Sequence, residues 1–131
     1  MNPDLRPKHL LPAMLAALLL TAAHPAGGAR AETAPYDDRL ERLAEVMGSI
    51  HYLRNLCGER SSRWRDDMQR LLETENPDEE RRTRLIARFN HGYTAFRSTY
   101  TICTESATEA IARYMSEGEK LAREIVVRFG N

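Results

Sequence analysis

Phe89-Asn90-His91-Gly92-Tyr93-Thr94-Ala95-Phe96-Arg97-Ser98-Thr99-Tyr100-Thr101-Ile102-Cys103 is the stretch whose reading decides the fold. Phe89, Tyr93, Phe96 and Tyr100 recur every three or four residues, which on an α-helix turns four rings to one face. Cys103 follows Tyr100 by three and falls on the same face. A helix that aims this much apolar surface in one direction is a core element, because that surface is favoured out of water. Cys57, the other of the two cysteines, closes an earlier amphipathic segment, so the two segments are expected to meet there.

Outward from this stretch the apolar stripe barely breaks. Leu85, Phe89, Tyr93, Phe96, Tyr100, Cys103, Ala107, Ile111, Tyr114, Gly118, Leu121, Ile125 and Phe129 follow one another by three or four, as in one very long helix or two helices in phase. The β-branched cluster Thr99, Thr101, Ile102 and Thr104 weakens helix preference, and Thr104 ahead of Glu105 can cap a new helix. Gly92 and Gly118 each cost a helix about 1 kcal/mol relative to Ala and mark a bend or a close approach. The expectation is helix throughout, with a kink or break near one of these points and an end at Gly130. Upstream, Asn76-Pro77-Asp78-Glu79 reads as a helix start with Asn76 as the cap and Pro77 in the first position.

Two shorter helices precede it. Asp37 or Asp38 can cap the first, whose Leu40, Leu43, Val46, Met47, Ile50, Leu53 and Cys57 keep helical spacing while Arg39, Glu41, Arg42, Glu45 and Arg54 lie largely off that stripe. Gly58 is a natural stop, since it tolerates a left-handed cap. Ser61 or Ser62 starts the second, with Trp64, Met68, Leu71 and Leu72 inward and an end near Thr74. No stretch pairs strand periodicity with turn chemistry.

The N-terminus indicates the compartment. Arg6, Lys8 and His9 precede an apolar run from Leu10 to Ala23, and Ala29-Arg30-Ala31 offers the small residues that a signal peptidase reads, so residues 1–31 are expected to be a cleaved secretory signal peptide. The competing reading is an uncleaved anchor, but the run falls short of the roughly 20 apolar residues that a span needs. Residues 32–131 then form a single helical domain of about 100 residues, large enough for one modest core. Without Arg6, Lys8, Arg30 and Asp4 the charge is about −2, which argues against nucleic acid as a partner.

The chemistry-bearing residues are few. Cys57 and Cys103 form an even pair in an oxidising compartment, which reads as one structural disulfide, and their separation is not the close spacing of thiol oxidoreductases. His51 and His91 lie beside the aromatic faces, so a small ligand could meet His51, Tyr52, His91 and Tyr93. A metal site there would need further ligands such as Glu45 or Asp66, and no spacing matches a ligand motif, so no metal and no cofactor are expected. Arg81, Arg82, Arg84 and Arg88 could contact an anionic envelope polymer or lipid; the plainer reading is a solvated face balanced by Glu79 and Glu80. Glu109, Glu119 and Glu124 each precede an arginine by four, as helical ion pairs do, and no nucleophile elbow, phosphate loop or zinc-protease helix is present, so an enzyme is not expected.

His51-Tyr52-Leu53-Arg54-Asn55-Leu56-Cys57-Gly58, Trp64-Arg65, Phe89-Asn90-His91-Gly92-Tyr93 and Tyr100-Thr101-Ile102-Cys103-Thr104 together resemble an alphaproteobacterial family of small exported two-cysteine proteins, domain of unknown function 2385. The resemblance covers nearly all of residues 32–131 and implies a Gram-negative envelope setting, a disulfide between Cys57 and Cys103, and no assigned activity.

The reading is an all-α fold: a signal peptide, then a compact three- or four-helix domain with a long C-terminal helical region and one disulfide, with Trp64, Phe89, Phe96 and Tyr100 in or near the core. The first two helices are expected to fold back on that region. The expected function is that of a non-catalytic periplasmic accessory protein, without a transmembrane segment after processing, that binds an envelope protein or other envelope component through a helix face. The alternative is a small-ligand or metal-binding helical bundle. Protein recovered from the envelope should begin at or near Glu32; N-terminal sequencing that finds residues 1–31 attached would restore the membrane-anchor reading.

Overall fold

The computed structural model describes residues 33–130, so the signal-peptide assignment lies outside the described residues. Four α-helices follow in order: α1 Asp37–Leu56, α2 Arg63–Glu75, α3 Glu79–Thr99 and α4 Glu105–Phe129. There is no strand among the described residues.

The helix boundaries follow from local hydrogen bonding. At the end of α1, the amide of Glu59 donates to Arg54 O (2.9 Å) and that of Gly58 to Asn55 O, with Gly58 at φ +104°. This is a Schellman cap, and Gly58 supplies the left-handed residue it needs. Ser62 precedes α2, but its hydroxyl donates to the Asp66 carboxylate (2.8 Å) rather than capping the backbone. The expected α3 cap moves by two residues. Asn76 ends α2 in the left-handed region at φ 40°, a conformation Asn tolerates, and Asp78 caps α3 by accepting from the amide of Arg81 (2.8 Å). Asp37, expected as a cap, is instead the first residue of α1; its Oδ2 accepts from the amide of Ala34 (3.2 Å).

The C-terminal region is two helices rather than one continuous helix. Tyr100 and Thr104 are both extended, and Thr104 Oγ1 accepts from the amide of Ala107 (3.1 Å) to start α4. Ser98 and Thr99 hydroxyls donate back to Ala95 O (2.8 and 2.9 Å), a local bond that competes with helix continuation. Cys103 therefore lies in an exposed connection, not on a buried helical stripe. Neither Gly92 nor Gly118 breaks its helix.

The hub is α1, which packs against each of the other three helices. Val46, Met47, Gly48, Ser49, Ile50 and His51 are buried in succession, so its middle is enclosed on more than the one face its apolar stripe suggests. Leu40, Ala44 and Met47 meet Met68 and Leu72 of α2 and Leu85 and Phe89 of α3 in one cluster, with Trp64 packed against it. Leu53 meets Ala107 and Ala110 of α4 in a second cluster, edged by Tyr52, Phe96 and Tyr100. The expected core aromatics are thus in or beside the core, Phe89 fully and the others half-buried.

Between the clusters the backbones of α1 and α3 nearly touch. A Cβ added to Gly48 would fall on the carbonyl of Phe89, and one added to Gly92 on the carbonyl of Glu45. Helix propensity alone favours Ala at both sites by about 1 kcal/mol, but this overlap reverses the sign. Gly48→Ala and Gly92→Ala are each expected to destabilise the domain by roughly 3 kcal/mol, the upper part of the overpacking range, as read from the denaturant midpoint. A gain in stability at either position would show that the helices do not cross this closely.

Candidate functional site

An apolar groove runs over the α1 face that lies between α2 and α4. Leu43, Val46, Met47 and Ile50 recur at helical spacing along α1 and form its floor. Trp64 of α2 forms one wall, and Met115, Gly118 and Ala122 of α4 the other. The volume is about 260 Å³. Val46 and Ile50 are buried beneath it, whereas Leu43, Trp64 and Met115 are half-buried and leave apolar surface facing the gap. Gly118 lets α4 come close at the floor, since a Cβ there would lie 3.3 Å from Val46 Cγ1.

The polar groups at the rim are neutralised by neighbours. Asp67 pairs with Arg63 (3.9 Å) and Arg70, and Glu119 with Arg123 (3.6 Å). The Arg63 guanidinium also sits over the Trp64 ring, 5.8 Å from its centroid. Below the groove, Arg42 of α1 grips Glu117 of α4 with two bonds (2.7 and 3.0 Å) and lies over the Tyr114 ring. The groove is therefore an apolar slot with a compensated rim, suited to hydrophobic contact rather than to proton transfer.

The residues singled out in the sequence lie elsewhere. His51, Tyr52 and Tyr93 do come together: the His51 ring is 5.6 Å from that of Tyr93, and Tyr52 meets Tyr93 edge-on at 5.2 Å. His91 does not join them. It is exposed, and its Nδ1 is 3.6 Å from Glu45 Oε1. Among the described residues no three His, Cys, Asp or Glu side chains are arranged to hold a metal ion.

The arginine cluster is largely committed to carboxylates. Arg81 points inward, donating to Asp37 Oδ1 and to Glu75 Oε2, each at 2.7 Å. Arg84 bonds Glu41 (3.1 Å) and Glu80 (2.9 Å), and Arg88 bonds Glu41 (3.2 Å). Arg82 is half-buried. The i,i+4 pair of Glu80 with Arg84 was legible in the sequence, but the partnership with Glu41 required α1 to lie alongside α3.

Of the groove residues, Leu43, Val46, Met47, Ile50, Trp64 and Gly118 lie on the apolar stripes legible in the sequence, and a groove floor has the same periodicity as a buried face. Met115 and Ala122 were not singled out, although with Gly118 and Glu119 they share one side of α4 at three- and four-residue spacing.

The family described as protein of unknown function (DUF2385) matches residues 35–129, which takes in all four helices. The chain belongs to that family. No curated protein and no solved structure matches the chain. The DUF2385 match thus spans the groove, the Arg81 corner and the cysteine pair.

Cys57 and Cys103 are bonded, with Cα atoms 4.9 Å apart. Cys57 is the last-turn cap of α1 and Cys103 lies in the α3–α4 connection, so the bond ties the end of the hub helix to the corner between its two long partners. The Tyr52 hydroxyl donates to Tyr100 O at the same corner. Closing a loop of 46 residues corresponds to about 4 kcal/mol in the chain-entropy model. Reduction should lower the melting temperature clearly, Cys57→Ser and Cys103→Ser should match each other, and the double variant should be no worse than either, as expected for one shared interaction. A thiol that titrates freely in protein taken from an oxidising compartment would contradict this role.

Proposed function

We propose that this DUF2385 protein is a non-catalytic accessory protein of the Gram-negative envelope that binds an envelope partner through the groove between α2 and α4. The observation that carries the reading is the half-buried apolar surface of Leu43, Trp64 and Met115, left uncovered over α1 where a further apolar element would fit. An amphipathic helix laid in such a slot buries side chains at i, i+3, i+4 and i+7 against an equally periodic floor. The N-terminal leader pattern supports export. The disulfide, together with described helices none of which is long and apolar enough to cross a membrane, is compatible with an extracellular or periplasmic location.

The test is site-specific photo-crosslinking in intact cells from Ala122, on the groove wall, compared with Glu80, an exposed position of α3 outside the groove. One dominant partner should be captured from position 122 and not from position 80. Ala122→Trp, which fills the slot from an exposed position, should abolish capture from a probe at Asp67 on the opposite lip. Equal capture from position 80 would place binding elsewhere. A small molecule carried by the purified protein and expelled by Ala122→Trp would favour the ligand-binding alternative.

A further inference from the structure

The geometry points to His51 as an acid-sensitive latch: protonation of its ring releases Asn55 from Ser61 and loosens the first turn of α2, which carries the Trp64 wall of the groove. The consequence for binding rests on the groove being the binding surface, but the latch itself stands on the free protein.

His51 is buried in the middle of α1, 7% exposed. Its ring lies 6.0 Å from that of Phe89 and 5.6 Å from that of Tyr93, both on α3. Asn55, one turn on, links it to the next connection. Asn55 Oδ1 accepts from the amide of Ser61 (3.0 Å), which fixes the side-chain amide so that Nδ2 is the atom facing His51 Nδ1 at 3.1 Å. Nδ2 also donates to His51 O (2.8 Å) and Ser61 O (3.2 Å). Nδ2 shares its two N–H groups among these three acceptors, and the tautomer that fits its contact with Nδ1 is the neutral ring with the proton on Nε2.

A second proton would go to Nδ1 and set an N–H against the Asn55 N–H₂. The contact becomes repulsive, and the amide must turn away. Turning it removes the donor from Ser61 O and the Oδ1 acceptor from the Ser61 amide, which is left with only its short-range bond to Glu59 O (3.0 Å). Ser61 stands directly before Ser62, the N-terminal cap position of α2. Trp64 is the second residue of that helix, and its indole N–H has no hydrogen-bond partner among the described residues. The far end of α2 is held separately, by Glu75 to Arg81 and Tyr36 and by Met68 and Leu72 in the core. Trp64 keeps its packing against the core cluster, so the change is a loosening of the turn that forms the groove wall.

The surroundings set the direction of the titration. Burial and the Arg65 guanidinium of α2 disfavour the charged ring, and the Asp66 carboxylate of α2 opposes them; the net effect lowers His51 below its usual value of 6.5. Tyr93 and Phe89 of α3 and Asn55 of α1 are the other groups facing it. Because the folded ring resists the proton, the latch stabilises the fold above the usual imidazole range, and that contribution is lost as pH falls through the lowered folded value.

The experiment follows the Ser61 amide by hydrogen exchange and Trp64, the single tryptophan, by fluorescence, from pH 7.5 to 4.5 in the oxidised protein. Protection of Ser61, corrected for intrinsic exchange, should fall at least tenfold in a single step below pH 6.5, with a concurrent shift in Trp64 emission. His91→Gln should leave the step in place, and His51→Gln, whose side-chain oxygen can still accept from Asn55, should remove it. Asn55→Asp keeps an acceptor for Ser61 but offers a carboxylate to the protonated ring, so its step should move to higher pH. This variant tests the latch even if His51→Gln fails to fold. A step that survives His51→Gln, moves down in Asn55→Asp, or is absent from the natural protein would overturn the latch. None of these outcomes depends on what the groove binds.

Discussion

The separation of α1 and α3 is set where Gly48 lies under the Phe89 carbonyl and Gly92 under the Glu45 carbonyl. Any side chain at either position would hold the backbones apart, and much of the remaining structure uses their proximity. The Ser49 hydroxyl, donating to Glu45 O at 2.9 Å, is accommodated within this contact. Because the axes come so near, Glu41 on α1 reaches Arg84 and Arg88 on α3. The fully buried Ala44, Ala107 and Ala110 extend the same theme of small side chains at contacts with the hub. Close packing of this kind tolerates little volume change, because interiors have few voids to absorb it.

Charge pairing plays two different parts around that frame. The pairs of Arg84 and Arg88 are partly exposed and belong to the class that contributes only ~0–1 kcal/mol each. Arg81 is different. Its guanidinium joins the first residue of α1, the last residue of α2 and the first turn of α3, in a site where the Asp37 side chain is 4% and that of Arg81 12% exposed. The Arg81 guanidinium also lies over the Tyr36 ring at 5.7 Å, and the Tyr36 hydroxyl donates to Glu75 at 3.1 Å. Removing one member of such a group leaves the others desolvated and unpaired, which costs far more than the pair contributes relative to an apolar replacement. Its role is specificity of the corner, where three helix ends must meet.

The short α2 is packed in the middle and held at its far end, and Ser61, just before its cap position, is tied to α1 by the Asn55 side chain. A helix of 13 residues has little stability of its own and depends on these contacts. The groove exists because α2 and α4 each lean on α1 and leave its Leu43–Ile50 face between them. The proposed binding surface and the proposed adjustable element are thus the same part of the molecule, at the low-stability end where such elements are commonly found.

The sequence by itself determined the helical class, the stop at Gly58 and the pairing of the two cysteines, and left open whether the helices are three or four. These are local or combinatorial matters: periodicity, capping chemistry and an even count. Assigning the α3 cap to Asn76 failed because Asn76 suits a left-handed helix end and Asp78 a helix start, and the choice between them depends on where α2 runs out. The break at the Thr99–Thr104 cluster and the cap at Thr104 were legible, but placing Cys103 on the helical stripe failed because the apolar register persists across that break, whose cause is local bonding by Ser98, Thr99 and Thr104. Only the tertiary structure decided that Gly48 and Gly92 oppose each other's helix, that Arg81 turns inward while Arg88 stays at the surface, and that Leu43 floors a groove rather than a core. In each case the deciding quantity is the position of an atom tens of residues away, and helical periodicity carries no information about which neighbour will cover a face.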